Sequence, residues 1–537
     1  MPSRTVREAT FDVLRQTGLT TLFANPGSTE VPFLVDLPSD LRFVLGLHEA
    51  SVVGMAAGWA IARNEPALAI LHTTAGLGNA VGAIATARVN RAPVVVLVGQ
   101  QDRRHLVHEP FLAGRLDGLA GDYPVWVGRP ELPQDVPGLI LRARHEAATG
   151  RGPALVIVPM DDWSAPADES RELAAPTRLV RTACADERAA SELLAFLAPA
   201  AEPALVVGAG ADEPAAWSGL VALAEKLSCP VWQESFGARA GFPQDHPLFA
   251  GHLPADRARL RQALARHDAV LVVGAPSFRQ YPYGPGPLTE ASTRVAILTE
   301  DADEAHRSVA ELAVLGSPAA LCRALAEALP ARSVGPPEIP ARPAAPPPPP
   351  PRGGEPLRAG HVLSALADLL PADAILVEET PSSRPELHAR VPARQPLGFL
   401  SAAMGGLGFA LPAATGIRMA RNDRPVVAVV GDGSSLYGIQ ALWSAASYGA
   451  GVLFIVLSNG GYAVMDRLAE GEGGTGPWPS FTVDVTGLAR ALGCPAQRIT
   501  DHDELVRVLG EALPSLADRQ DPLLLEIVVA PDETFAP

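Results

Sequence analysis

Short, continuous runs of apolar and often β-branched residues recur along this 537-residue chain, separated by segments of helical period. The clearest runs are Thr21–Phe23, Ala67–Leu71, Val94–Val98, Ala154–Val158, Ala204–Val207, Ala269–Val273, Val426–Val430 and Val452–Leu457. A strand with water on one face alternates apolar and polar side chains, whereas a strand covered on both faces does not. The runs therefore predict parallel sheets buried under helices. Thr5–Thr17, Glu49–Arg63, Asn79–Arg88 and Leu436–Tyr448 carry helical patterns between them. This alternation specifies an α/β fold of doubly wound parallel sheets. No repeat period typical of a solenoid is visible.

One segment interrupts the alternation. Ala331–Leu357 holds 11 prolines, six of them consecutive at Pro346–Pro351. Proline lacks an amide N–H and fixes φ, so the run favours an extended, semi-rigid linker. A polyproline ligand for another domain is the other use of such a run. The linker reading divides the chain into units at 1–175, 180–332 and 357–537, with the linker at 333–356. Three units agree with roughly 100–200 residues per domain.

Composition removes several functions. The chain carries 43 basic and 59 acidic side chains, a formal charge of −16. That balance argues against a surface built for nucleic-acid phosphates. The four cysteines (Cys184, Cys229, Cys322, Cys494) form no C-x-x-C pair, so neither a zinc site nor a disulfide framework is indicated. No apolar stretch reaches the ~18 residues that a membrane span requires. The segment Met1–Thr10 lacks the apolar core of a signal peptide, so a cytoplasmic location is expected.

The chemistry concentrates in the third unit. The run Val426–Val430 leads directly into Gly431-Asp432-Gly433-Ser434-Ser435. Small residues between a strand and a helix offer free backbone N–H groups to a phosphate. The run Val452–Leu457 ends at Ser458-Asn459-Gly460-Gly461. Asp432 and Asn459 are thus one strand–helix–strand unit apart, both at carboxyl ends of parallel strands, where open α/β sheets bind ligands. Two oxygen side chains and a backbone carbonyl suit Mg²⁺ or Ca²⁺ beside a diphosphate. Gly-Asp-Gly alone is also an ordinary turn sequence; the strand context and the Asn459 spacing favour the site.

Gly-Asp-Gly followed by this asparagine resembles the signature of the thiamin-diphosphate enzymes. The resemblance implies that Asp432, Asn459 and the carbonyl of Gly461 hold the metal. It implies that Gly431, Gly433, Ser434, Tyr462 and Ser382 lie against the cofactor. In Gly405-Gly406-Leu407-Gly408-Phe409-Ala410, Leu407 is the apolar residue expected beneath the cofactor. In the first unit, Glu49 of Leu47-His48-Glu49-Ala50-Ser51 matches the glutamate that hydrogen-bonds the aminopyrimidine and makes its amine a useful base. Glu49 also reads as an ordinary first-turn carboxylate.

Within that family the chain is similar to the 2-keto acid decarboxylases of the benzoylformate decarboxylase branch. Phe23-Ala24-Asn25-Pro26-Gly27-Ser28-Thr29-Glu30 resembles the substrate loop, with Ser28 toward the substrate carboxylate. Leu71-His72-Thr73-Thr74-Ala75-Gly76 resembles the segment with a catalytic histidine, here His72. Phe111, Leu112 and Ser401 fall at pocket positions. One departure stands out. Where the branch has a second catalytic histidine, this chain places Tyr281 in Gly274-Ala275-Pro276-Ser277-Phe278-Arg279-Gln280-Tyr281. Tyrosine, with a reference pKa near ~10, is a weaker acid–base than histidine at neutral pH.

The resemblance implies decarboxylation of a benzoylformate-like 2-keto acid to an aldehyde, dependent on thiamin diphosphate and Mg²⁺ (or Ca²⁺). Carboligation of the product to a second aldehyde, giving a 2-hydroxyketone, is a further outcome that Tyr281 favours. Two alternatives remain: an acetolactate-synthase-like carboligase, and a non-catalytic subunit of the same fold. The expected partners are a small 2-keto acid and an aldehyde acceptor, without nucleic acid or membrane. Glu49 and Asp432 lie in different units yet must meet one cofactor, which in the family implies at least a homodimer and commonly a homotetramer.

Overall fold

The strands Val94–Gln100 and Pro153–Pro159 are buried at every residue, as two-sided coverage requires. In the computed structural model, which describes residues 4–168, 179–180, 183–332, 348–352 and 355–531, they belong to the first of three six-stranded sheets. Its strands are β1 (Thr21–Asn25), β2 (Arg42–Leu45), β3 (Ala67–His72), β4 (Val94–Gln100), β5 (Trp126–Gly128) and β6 (Pro153–Pro159). Their order is β2-β1-β3-β4-β6-β5, and every pairing is parallel.

The second sheet holds β7 (Pro203–Val207), β8 (Val231–Gln233), β9 (Phe249–His252), β10 (Ala269–Val273), β11 (Arg294–Thr299) and β12 (Leu312–Leu315). It runs β12-β11-β10-β7-β8-β9. The third holds β13 (Ile375–Glu379), β14 (Phe399–Ser401), β15 (Val426–Gly431), β16 (Leu453–Ser458), β17 (Ala496–Ile499) and β18 (Leu523–Val528). Its order, β14-β13-β15-β16-β18-β17, repeats the first sheet's order strand for strand. In both sheets the winding reverses beside the first strand, between β1 and β3 and between β13 and β15. Such a switch point opens a crevice at the carboxyl ends of the strands.

All eight strand expectations coincide with observed strands. The helix expectations hold with two adjustments. The segment expected as a helix from Asn79 begins at Thr73, directly after β3. The single helix expected over Leu436–Tyr448 is divided: Asp432–Leu436 and Ala441–Ser447 flank a turn. Gly438 in that turn packs so closely that a Cβ there would lie 3.0 Å from the Gly408 carbonyl oxygen.

The first and third units are joined by the helices Glu49–Arg63 and Ala410–Ala420. A Cβ on Gly58 would sit 2.2 Å from the Ala413 oxygen, and one on Gly416 would sit 1.9 Å from the Met55 oxygen. The small residues of Glu49–Arg63 are therefore what permits backbone-to-backbone contact. The helix ends at Asn64, which takes the left-handed conformation at φ 52°.

Most of the proline linker expected at 333–356 lies outside the described residues. Its described part is fastened to the third unit: the imidazole of His361 donates from Nε2 to the Pro349 carbonyl at 3.0 Å and accepts at Nδ1 from the Arg358 amide. Among the described residues, no helix is long and apolar enough to cross a membrane.

Candidate active site in two halves

The third-unit half is a cavity of about 260 Å³ at the β13/β15 switch point. Gly431, Asp432, Gly433 and Ser434 follow β15; Asn459, Gly461 and Tyr462 follow β16; Ser382 follows β13; Leu407 closes one side. The structure thus gathers every cofactor position expected in this unit around one cavity. Asp432 is buried; its Oδ1 accepts from the Gly433 amide and its Oδ2 from the Gly460 amide, each at 2.8 Å. Burial pushes its carboxyl above the usual range, while these amides pull it back. Asn459 Oδ1 accepts from the Gly461 amide at 3.0 Å, which turns the side-chain oxygen in a fixed direction. Each of these oxygens keeps a second lone pair.

The expected metal ligands, Asp432, Asn459 and the Gly461 carbonyl, are a carboxylate, an amide oxygen and a backbone carbonyl, and all three residues line this cavity. Hard oxygens of this kind fit Mg²⁺ or Ca²⁺ with a diphosphate. Leu407, Leu457, Val464 and Met465 are the apolar part of its lining.

The first-unit half lies at the β1/β3 switch point. Glu49 opens its helix after the N-cap His48 and is nearly buried. Asn25, at the end of β1, donates from Nδ2 to Glu49 Oε1 at 3.0 Å; Asn79 donates to Oε2 at 3.0 Å. Two amides therefore fix the plane of the carboxylate. His72 closes β3. Its Nδ1 lies 3.0 Å from Glu30 Oε2 and 2.9 Å from Thr29 Oγ1. A carboxylate at Nδ1 favours the tautomer with the proton there, which leaves Nε2 as the acceptor. Thr29 Oγ1 donates to Glu30 Oε1 at 2.5 Å, and the Gly27 amide donates to Oε2 at 2.7 Å.

Two glycines make this cluster sterically feasible. A Cβ on Gly27 would lie 2.4 Å from the His72 ring, and one on Gly99 would lie 1.7 Å from Glu30 Oε1. Thr73, directly after His72, is buried with φ 36°, so the turn that aims the histidine is strained. Ser28 is exposed at the mouth of the same loop.

The remaining candidates are dispersed. Tyr281 stands half-exposed on the middle unit, its amide donating to the Ala255 carbonyl at 3.1 Å. Phe111 and Leu112 are exposed on the loop after β4. Ser401 is buried at a junction of the three units: its amide donates to the Ala238 carbonyl and its carbonyl accepts from Asn90 Nδ2. It does not line the cavity of Asp432. The glycine-rich end of β7, Gly208-Ala209-Gly210, packs on the end of β10. The Gly210 amide donates to the Gly274 carbonyl at 2.7 Å, and a Cβ on either glycine would strike the other's backbone.

Sequence reasoning missed two glutamates, Glu30 and Glu379. Glu30 sits in the quoted substrate loop, but its role depends on β3 lying beside β1. Glu379 ends β13 and accepts from three backbone amides of the Leu407 segment.

Three family models match the chain in turn. Residues 4–118, 190–325 and 384–527 match the N-terminal, central and C-terminal domains of the thiamine pyrophosphate enzymes. The chain is 39% identical to benzoylformate decarboxylase of Pseudomonas aeruginosa, over 99% of this chain and 100% of that protein. It is 28% identical to the acetolactate synthase large subunit of Parasynechococcus marenigrum, over 98% of this chain and 88% of that protein. Among solved structures, the thiamine diphosphate-dependent 4-hydroxybenzoylformate decarboxylase of Rhodococcus jostii superposes with a TM-score of 0.91 at 35% identity, covering 99% and 100% of the two chains. With its fold and full length accounted for in this way, the chain belongs to the thiamine pyrophosphate enzymes, as a thiamin-diphosphate-dependent 2-keto acid decarboxylase of the benzoylformate decarboxylase type.

Proposed function

We propose that the chain decarboxylates an aromatic 2-keto acid of the benzoylformate class to the aldehyde, using Mg²⁺ or Ca²⁺ with its thiamin diphosphate. The reading rests above all on one observation: two polar clusters occupy matching switch points of two sheets with the same strand order. The names of the similar decarboxylases support the substrate class.

A bound thiamin diphosphate would supply the electron sink that loss of CO₂ from a 2-keto acid requires. The chain's own residues do the rest. Asp432, Asn459 and the Gly461 carbonyl would hold the cation, and Gly433 and Ser434 would take the diphosphate, since all five line one cavity. Leu407 gives the cofactor an apolar support. Glu49, fixed by Asn25 and Asn79, would accept a hydrogen bond from the aminopyrimidine of the bound cofactor and so help its amine act as a base. Ser28 donates to the substrate carboxylate. His72 moves a proton at the substrate oxygen through Nε2, while Glu30 holds Nδ1. Tyr281 stands in for an expected histidine and donates a hydrogen bond without shuttling a proton, which favours carboligation alongside aldehyde release. Because one half-site belongs to each of two units, the working form is at least a homodimer and, by family resemblance, a homotetramer.

The test is incubation with benzoylformate, thiamin diphosphate and Mg²⁺, with benzaldehyde, CO₂ and any 2-hydroxyketone quantified. Aldehyde and CO₂ in equal amounts are expected. Absence of both, across a panel of aryl and alkyl 2-keto acids, removes the reading. A flavin absorption band in the purified protein turns it toward an acetolactate-synthase-like carboligase.

A further inference from the structure

We propose that Glu379 is a positioning residue: its carboxylate holds the segment Gly405–Ala410 in place and so sets Leu407 against the cofactor. The inference rests on the cofactor reading above and names a residue through which that site is built.

Leu407 is 38% exposed in the chain, so packing does not fix it. Nor does regular structure: Gly405 and Gly408 on either side have φ of 72° and 93°, in the left-handed region. The constraint comes from outside the segment. Glu379 is buried at the end of β13, 29 residues before Gly408. Its Oε1 accepts from the Gly408 amide at 2.6 Å; its Oε2 accepts from the Phe409 amide at 2.8 Å and the Ala410 amide at 2.7 Å. These donors sit at the start of the helix Ala410–Ala420, whose first amides lack partners within the helix. A carboxylate is the acceptor best suited to them.

Residues next to Glu379, in the chain and across its hydrogen bond to Gly408, also line the cavity. Thr380, the next residue in the chain, lines the cavity, as does Ser382. Gly408 packs against Tyr437, where a Cβ would lie 3.0 Å from the tyrosine Cβ, and Tyr437 lines the cavity as well. Glu378, its neighbour on β13, takes a different part: it pairs with Arg384 at 2.9 Å and with Thr380. Burial raises the Glu379 carboxyl to about 7 against the pull of the three amides, so this cap is retained at a cost that a surface carboxylate would not carry. A helix start alone is served by a nearby serine or aspartate. A glutamate reaching from the adjacent strand also ties the glycine segment to the switch point.

The test uses the full-length protein and Glu379→Gln, which keeps the shape but leaves one acceptor oxygen. In cofactor-free protein, amide hydrogen exchange of peptides covering 405–410 is expected to speed up, with peptides from β15 and β16 unchanged. With cofactor and keto acid, kcat is expected to fall on the order of 100-fold, the cost of a misplacement near 1 Å, while KM for the keto acid stays within about 2-fold. Leu407→Ala is expected to cost a similar factor, and the double variant no more than either single one. Unchanged loop exchange, unchanged kcat, or losses that multiply in the double variant overturn the inference. Glu379→Asp, which withdraws the carboxylate, is measured in parallel with the same expectations. If neither variant folds, the carboxylate is a determinant of the fold and the inference is overturned. Wild-type protein that fails to bind thiamin diphosphate in calorimetry instead overturns the cofactor reading, and this inference with it.

Discussion

Glu30 Oε2 stands 3.0 Å from His72 Nδ1, buried two residues after the exposed Ser28. The pairing links the loop after β1 to the end of the neighbouring β3, and it favours the tautomer that leaves Nε2 as the acceptor. Glu30→Gln keeps the side-chain size but loses the charge that orders the imidazole proton. Its kcat is expected to fall on the order of 100-fold, in the range of general acid–base contributions. Melting temperature and cofactor affinity are expected to change little. Steady-state kinetics beside a thermal melt and a cofactor titration check this. A wild-type kcat removes Glu30 from the proton path.

Glu49 receives one amide donor from Asn25 and one from Asn79. Removing either leaves a nearly buried oxygen short of a partner, at a cost of about 1–3 kcal/mol. Asn25→Ala and Asn79→Ala are each expected to lower kcat by about 10-fold, a part of that cost felt at the cofactor. Both are expected to retain metal-dependent cofactor binding, because Asp432 lies in the other half. Calorimetric titration with thiamin diphosphate and Mg²⁺, set beside turnover, separates the two effects.

What could be read from the chain, and what could not, divides along these same residues. Asp432 and Asn459 were legible because a strand end, a small-residue turn and a fixed spacing are all local. His72 and Ser28 were legible only as matches to a loop. Glu30 and Glu379 were not, since a glutamate's work is defined by the amides and rings that a distant segment brings to it. Gly408 lies 29 residues beyond Glu379, and His72 lies 42 beyond Glu30. The shared strand order of the first and third sheets was equally hidden. It depends on short strands such as Phe399–Ser401 and Trp126–Gly128, whose three residues carry no periodic signal. The break at Gly438 escaped the helical pattern because a contact with Gly408, not local propensity, decides it.

Acid stability should report on the contact between the second and third units. His388 stacks on His252 with ring centroids 3.8 Å apart, and its buried Nε2 lacks a partner among the described residues. Burial first, and the nearby Arg384 second, press its pKa down to about 3. In the unfolded chain a histidine binds its proton near pH ~6.5. Between those values the unfolded state holds a proton that the folded state refuses. Stability is therefore complete above pH ~6.5 and declines as pH falls toward 3, by up to about 1.4 kcal/mol per pH unit. His388→Phe is expected to flatten that limb, and thermal melts from pH 7 down to 4 are the measurement. Parallel curves for both proteins refute the assignment.

Metal removal tests the oxygen set of the third-unit half. Chelation by EDTA is expected to abolish cofactor binding, and either Mg²⁺ or Ca²⁺ is expected to restore it, as hard-oxygen ligands accept both. Asp432→Ala is expected to weaken cofactor binding by at least about 100-fold, since it removes the charged ligand and the anchor of the Gly433 and Gly460 amides. Zinc rescue better than either cation argues against the oxygen set.

The separation of Glu49 from Asp432 yields the sharpest prediction about assembly. The residues that line the Asp432 cavity all come from the third unit, and Glu49, Ser28 and His72 form their own cluster on the first. If one cofactor bridges the two halves across a two-fold axis, each site takes Glu49 from one chain and Asp432 from its partner. Glu49→Gln and Asp432→Ala are then both inactive alone. Mixed and reassorted, half of the dimers are hybrids, and each hybrid carries one site with both lesions and one intact site. Activity should return to about one quarter of wild type. If each site is built within a single chain, every site in the mixture carries a lesion and activity stays at the level of the single variants. Co-expression with two affinity tags isolates the hybrid, whose activity should be about half that of wild type per dimer. The outcome distinguishes a site shared between chains from one closed within a chain by motion of the first unit over the third.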